Sequence, residues 1–232
     1  MNKNILIIGG SSGIGQALVE LLQDSNTIFV ANRTSEGIDT QKVNYIKYDA
    51  IEDPLDTSVL PDQLDGFVYC PGSINLRPFK GLKPETFLKD FEINVLGAVK
   101  SLQAVLKNLL ESPQASIVLF STVAVQTGMP FHASVAAAKG AIEGLTRSLA
   151  AEYAPKFRVN TIAPSITDTP LANKFLNNEV KLEKANERHP LKNIGSAKDI
   201  AHTARFLLSD ESKWMTGQIV HLDGGIGDLK TN

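Results

Sequence analysis

An apolar run, ILII at residues 5–8, leads directly into GGSSGIG at 9–15 and then into QALVELLQ at 16–23. A short, uninterrupted apolar run reads as a strand buried on both faces, and the segment after the glycines carries its apolar residues at helical spacing. Gly9, Gly13 and Gly15 permit a tight turn, a close approach of backbone to ligand and close packing of the new helix on the sheet. The helix N-terminus then offers N–H donors and positive potential to a phosphate, to which Ser11 and Ser12 add hydroxyls. Strand, glycine turn and helix in this order restrict the chain to an α/β fold whose first turn is a candidate nucleotide site.

The rest of the chain repeats the pattern. Apolar runs at 27–31, 45–48, 66–69, 116–120, 158–163 and 218–222 are bounded by Gly, Pro, Asn and Asp and read as further strands. Helical periodicity is clearest at 13–23, 84–111, 136–154 and 197–209, the last with Ile200, Ala204, Leu207 and Leu208 on one stripe. Strands alternating with helices of this length imply right-handed crossovers and a parallel sheet covered on both faces. The expected architecture is a doubly wound α/β domain, a Rossmann-type parallel sheet of about seven strands, spanning residues 1–232 as one dinucleotide-binding unit. Residues 165–195, rich in Asn, Lys and Glu, are expected to form a helical excursion acting as a substrate lid.

Composition removes several classes of partner. The 23 Lys+Arg against 25 Asp+Glu leave a net charge of −2, so there is no basic field to hold nucleic acid or an anionic membrane. Cys70, the single cysteine, cannot close an internal disulfide, which fits a reducing compartment. The opening MNKN passes into the first strand with no small-residue cleavage site behind it, and the expectation is a cytoplasmic protein. Without a His-x-x-His or a carboxylate cluster, no metal site is expected.

The spacing of the first turn is G-x-x-x-G-x-G, and IGGSSGIG at 8–15 resembles the T-G-x-x-x-G-I-G of short-chain dehydrogenases/reductases, with Ile8 where threonine is usual. Further motifs follow in the family's order. YDA at 48–50 resembles its D-V after the third strand, and INVLG at 93–97 its N-x-x-G helix. RVNTIAPSITDT at 158–169 resembles R-V-N-x-I-x-P-G-x-x-x-T, and WMTGQIVHLDGG at 214–225 resembles I-T-G-Q-x-x-x-V-D-G-G. The resemblance covers essentially the whole chain and implies hydride transfer with a nicotinamide dinucleotide.

The tip of the second strand faces the adenosine ribose in such sheets, and an acid there would bind the free hydroxyls of NAD. Here Asn32 is followed by Arg33, whose guanidinium suits a 2′-phosphate, so NADP(H) is the expected cofactor, with NAD as the alternative. The resemblance places Asp49 at the adenine amino group and Thr169 at the nicotinamide carboxamide. It adds Ile14 and Pro164 to the cofactor-binding set. YCPGS at 69–73 stands where the family shows N-N-A-G, so Pro71 and Gly72 are left to shape the wall through their backbone.

Catalysis in the family uses a tyrosine, a lysine four residues after it and a serine about thirteen residues before it. Lys139, in KGAIEGLTRSLA, fits the lysine; Thr122 fits the serine position; Asn94 fits the helix asparagine that helps hold a water. The residue four before Lys139 is Val135, and no tyrosine occurs between Tyr69 and Tyr153. The proton would then come from Lys139 through a water or the ribose, from His132 or Ser134 just before the helix, or from Tyr69 at a strand's carboxyl end. His189, His202 and His221 read as structural.

Two readings remain open. One is an oxidoreductase acting on a small carbonyl, alcohol or activated C=C substrate with a proton source other than tyrosine. The other is a nucleotide-binding regulator or inactive partner subunit without redox turnover. The resemblance also implies a homodimer or homotetramer paired through the helices at 86–110 and 136–154, where small side chains such as those of AAAKGA let helices approach closely.

Overall fold

In the computed structural model, which describes residues 2–230, each of the seven apolar runs forms a strand of one parallel sheet. In chain order these are β1 (Asn4–Ile8), β2 (Thr27–Asn32), β3 (Asn44–Lys47), β4 (Gly66–Tyr69), β5 (Ala115–Phe120) and β6 (Phe157–Pro164). Two-residue strands β7 (Thr167–Asp168) and β8 (Gly195–Ser196) pair separately, and β9 (Ile219–Leu222) completes the main sheet. The strand order β3-β2-β1-β4-β5-β6-β9 is that of a doubly wound sheet.

Alternation along the strands builds one core on each face. Ile5 and Ile7 of β1 and Val68 of β4 pack with Leu18 of α1 (Gly13–Leu22) and with Ile200 and Leu207 of α9 (Ala197–Leu208). Leu6 and Ile8 point the other way, into a core shared with Leu102 of α3 (Gly97–Ala104) and with Ala138 and Ile142 of α6 (Ala133–Tyr153). Side chains of this size each gain roughly 1.5–3 kcal/mol on full burial. That gain on both faces explains why these strands read as continuous apolar runs. Ser196 and Asp199 form a reciprocal capping box that starts α9 at the residue its periodicity indicates.

The segment read as one helix over 84–111 is broken into α2 (Pro84–Phe91), a widened π-turn at Glu92–Leu96, α3 and the short α4 (Leu106–Leu110). The cause lies in Asn94, whose side-chain amide donates to the Asp90 carbonyl at 2.7 Å, the acceptor its own backbone N–H would use in a regular helix. A second break falls at Val105, where φ is −110°. Between β5 and α6 lies the single turn α5 (Ala124–Thr127).

Residues 165–195 contain β7, α7 (Asn173–Leu176), α8 (Glu179–Arg188) and β8. Thr167 aligns with Gly195 and Asp168 with Ser196, so the two ends of this excursion are tied together beside the carboxyl end of β6. No helix among the described residues is long and apolar enough to cross a membrane.

Candidate functional site

The sheet reverses its winding between β1 and β4, and the glycine-rich turn sits at the carboxyl ends of those strands. Gly15 is required there because a Cβ would collide with the carbonyl oxygen of Gly9. That contact brings α1 down onto the turn, with the N–H groups of its first residues, Gly13 to Gly15, lacking intrahelical acceptors. The tip of β2 fastens the turn from the side, since Asn32 Oδ1 accepts a 2.8 Å hydrogen bond from the Gly10 amide. Asn32 therefore acts on the loop with its side-chain carbonyl while lining the cavity beside it.

A cavity of about 830 Å³ opens over this edge. Gly9, Ser11, Ser12, Gly13 and Ile14 of the glycine turn line it, as do Asn32 and Arg33 at the tip of β2. Asp49, Pro71 and Gly72 form a wall, and Thr169 closes it from the excursion. Arg33 is exposed and makes no ion pair among the described residues. Asp49 Oδ1 accepts from the Ile51 amide at 2.9 Å, which sets the turn after β3.

A second cavity, of about 460 Å³, shares Ile14, Cys70, Gly72, Thr169 and Leu171 with the first, so the two adjoin. Its walls carry Thr122, Val135, Lys139, Pro164, Ser165, His132 and His189. Lys139 is buried and its Nζ donates to the Phe120 carbonyl at 2.9 Å. Burial holds its pKa down at about 8, and the same burial raises the neighbouring Cys70 thiol to about 12. Cys70 is thus an uncharged apolar wall at neutral pH.

Behind Gly72 lies a polar cluster. Asn94 lines neither cavity; its amide donates to Ser73 Oγ at 2.9 Å and to the Asp90 carbonyl. A Cβ on Gly72 would meet Asn94 Oδ1 at 3.1 Å and Lys139 Nζ at 3.5 Å, so the absence of a side chain there leaves room for both groups. Asp90 is fully buried, with Ser73 and Asn75 donating to Oδ1.

The sequence-based proton sources separate clearly. Tyr69 lines neither cavity: its hydroxyl donates to the Ile93 carbonyl at 2.7 Å, and burial raises its pKa. Ser134 is buried in the first turn of α6, its hydroxyl unpartnered and outside both cavities. His132 lines the second cavity with Nδ1 2.7 Å from the Pro130 carbonyl. His189, read from sequence as structural, also lines it. With Nδ1 directed at the Ala185 carbonyl (2.7 Å), His189 Nε2 accepts from Ser165 Oγ at 2.8 Å. The departure from glycine at position 165 was the visible signal; nothing in the spacing ties it to a histidine 24 residues on.

Residues 9–227 match a family model described as enoyl-(acyl carrier protein) reductase. The 2,5-dichloro-2,5-cyclohexadiene-1,4-diol dehydrogenase of Sphingobium indicum is 30% identical, with 96% of each chain covered. The 3-oxoacyl-[acyl-carrier-protein] reductase of Thermotoga maritima is 29% identical over 97% of both chains. A short chain dehydrogenase family protein from Francisella tularensis superposes with a TM-score of 0.89 at 29% identity, covering 99% of this chain and all of the other. Glycine turn, strand order and these matches along nearly the full length lead to one assignment: the chain belongs to the short-chain dehydrogenase/reductase family and is an oxidoreductase of that type.

Proposed function

We propose that this protein is an NADP(H)-dependent oxidoreductase acting on a small carbonyl, alcohol or activated C=C substrate, with a proton source other than tyrosine. The observation that carries the reading is that the cavity over the glycine turn adjoins the one containing Thr122 and Lys139 through five shared lining residues. When bound, the dinucleotide supplies hydride chemistry. The residues present fit it: unpaired helix N–H groups and a Cβ-free Gly15 suit a diphosphate, and the unpaired Arg33 at the tip of β2 suits a 2′-phosphate. Ser11, Ser12, Asp49, Pro71, Gly72, Pro164 and Thr169 line its path.

In this reading Lys139 holds ribose hydroxyls and Thr122 holds the substrate oxygen through its hydroxyl. Asn94 is a positioning residue behind Gly72. Val135 has no proton to give, and the Ser165–His189 pair is the hydroxyl–imidazole couple facing the same space. The excursion over 165–195 acts as the lid. Apolar side chains of Leu88, Phe91 and Leu96, exposed along α2 and the widened turn, suit pairing with a second copy. Light scattering should then give two or four times the 25.1 kDa chain mass.

The experiment is direct. Purified protein is titrated with NADPH and NADH, then assayed with a panel of ketones, quinones and enones; uptake of NADPH with turnover of a panel member is the expected result. The second reading, a nucleotide-binding regulator, is favoured by Val135. Nucleotide uptake without turnover, together with activity appearing on Val135→Tyr, would select it. Absence of any pyridine-nucleotide binding would remove both.

A further inference from the structure

Helix α8, EVKLEKANER, segregates its charges. Lys181, Lys184 and Arg188 recur at i, i+3 and i+7, and at 100° per residue they fall on one side of the helix. Glu179, Glu183 and Glu187 recur at i, i+4 and i+8 on the opposite side. The three basic residues line the second cavity and the three acids do not. A basic stripe on a solvated helix is ordinary; its placement here is not, because these exposed side chains also line a cavity.

That cavity also carries Lys139 and Lys174, and among the described residues no Asp or Glu lines it. The chain as a whole has slightly more acids than bases, so the basic face of α8 is a local concentration of positive charge over low-dielectric walls. Lys174 spends its ammonium on the Ile74 carbonyl at 2.6 Å, and Lys181 donates to Asn177 Oδ1. None of Lys181, Lys184 and Arg188 has an acidic partner among the described residues. Below the stripe the wall turns apolar with Leu76, Met129, Ile166 and Phe175.

We infer that the substrate of this site carries an anionic oxyacid group, carboxylate or phosphate, at the end of an apolar stem, with Lys181, Lys184 and Arg188 holding the anion. The inference rests on the oxidoreductase reading for what happens at the other end of the stem. Arg188 supplies a planar fork for two oxygens, and the lysines supply point charges. The same three cations would not serve the nucleotide, since none of them lines the cavity over the glycine turn.

The test is calorimetric titration of the full-length protein with octanoate, octyl phosphate and 1-octanol. At least one anion should bind about tenfold or more tightly than the alcohol, a difference equal to about 1.4 kcal/mol. The preference should shrink as ionic strength rises from about 0.01 M to about 0.1 M, which shortens the screening length from about 30 Å to about 10 Å. The two anionic arms distinguish a free acid from a phosphate-bearing substrate. Combined Lys181→Glu, Lys184→Glu and Arg188→Glu should abolish the preference with NADPH affinity unchanged, which also reports that the variant is folded. Glu183→Gln, on the opposite side, should leave it intact. Equal binding of alcohol and anions, no anion binding, or an undiminished preference in the triple variant overturns the inference. So does an equal loss of NADPH and anion affinity, because the stripe would then serve the nucleotide. Anion uptake by a protein that takes neither NADPH nor NADH would sink the oxidoreductase reading and leave the anion site standing.

Discussion

Ser165, one residue past the end of β6, holds His189, one residue past the end of α8, through a 2.8 Å hydrogen bond that spans the excursion between them. His189 is buried and packs its ring on Gly224, so its imidazole is fixed by two hydrogen bonds and a wall of backbone. Replacement by Asn leaves the Ala185 carbonyl without its donor and the Ser165 hydroxyl without its acceptor, and should lower stability by about 1–3 kcal/mol in denaturant titrations. If the pair moves the proton, kcat should fall by about 10²–10⁴ with little change in KM. The same His189→Asn change in a Val135→Tyr background should leave kcat nearly unaltered; an equal loss in both backgrounds would mark the histidine as purely structural.

Val135 lies one helical turn before Lys139, and both side chains line the same cavity. Val135→Tyr therefore puts a phenol where Lys139 can act on it. Carbonyl reduction should rise by about 10² or more if proton delivery limits the rate. The added volume enters a site where Val135 is only 4% exposed, so a stability loss of about 1–3 kcal/mol accompanies it. Thermal unfolding and steady-state assay of the one variant measure both effects.

If Lys139 holds the ribose hydroxyls as proposed, it should set the pH dependence of nucleotide uptake. Its pKa is held at about 8 by burial, so its positive charge is present below that pH and is lost as pH rises through it. The bound form of a polyanionic ligand favours the charged lysine, and NADPH affinity should weaken as pH passes upward through about 8. Cys70, pushed up to about 12, stays an uncharged thiol across the window and contributes no competing charge. Lys139→Met should flatten the fluorescence-titrated profile.

The fold was legible because double-sided burial leaves its mark on every strand: ILII, GFVY and SIVLF each became a parallel strand within a residue of the apolar run. The spacing over 84–111 predicts one helix; of its two breaks, the first coincides with a side-chain amide taking a backbone carbonyl and the second is a backbone departure at Val105, and neither leaves a periodic trace. In the site, Gly13 and Arg33, singled out by local motifs, line the first cavity, and Thr122 and Lys139 line the second. Tyr69, one of the proton sources the sequence leaves open, turns its hydroxyl to the Ile93 carbonyl, because the strand-end rule locates a residue but not the direction of its hydroxyl. The Ser165–His189 contact and the placement of the basic face of α8 depend on how the excursion folds back over β6, and no motif encodes that.

Arg33 offers the cleanest separation of cofactors. Its exposed guanidinium lines the first cavity with no acidic partner among the described residues, while Asn32 beside it is committed to the Gly10 amide and leaves no acid for a free ribose. Charge-assisted hydrogen bonds to a phosphate contribute about 1.5–3 kcal/mol, which corresponds to about 10- to 150-fold in affinity. Arg33→Asp removes that contact, repels the 2′-phosphate and supplies an acceptor for ribose hydroxyls. The ratio of NADPH to NADH dissociation constants should therefore shift toward NADH by at least that factor, with the fold unchanged because Arg33 is a surface residue. An unchanged ratio would return Arg33 to the role of an ordinary solvated turn residue and leave the choice of cofactor to backbone contacts around Gly13.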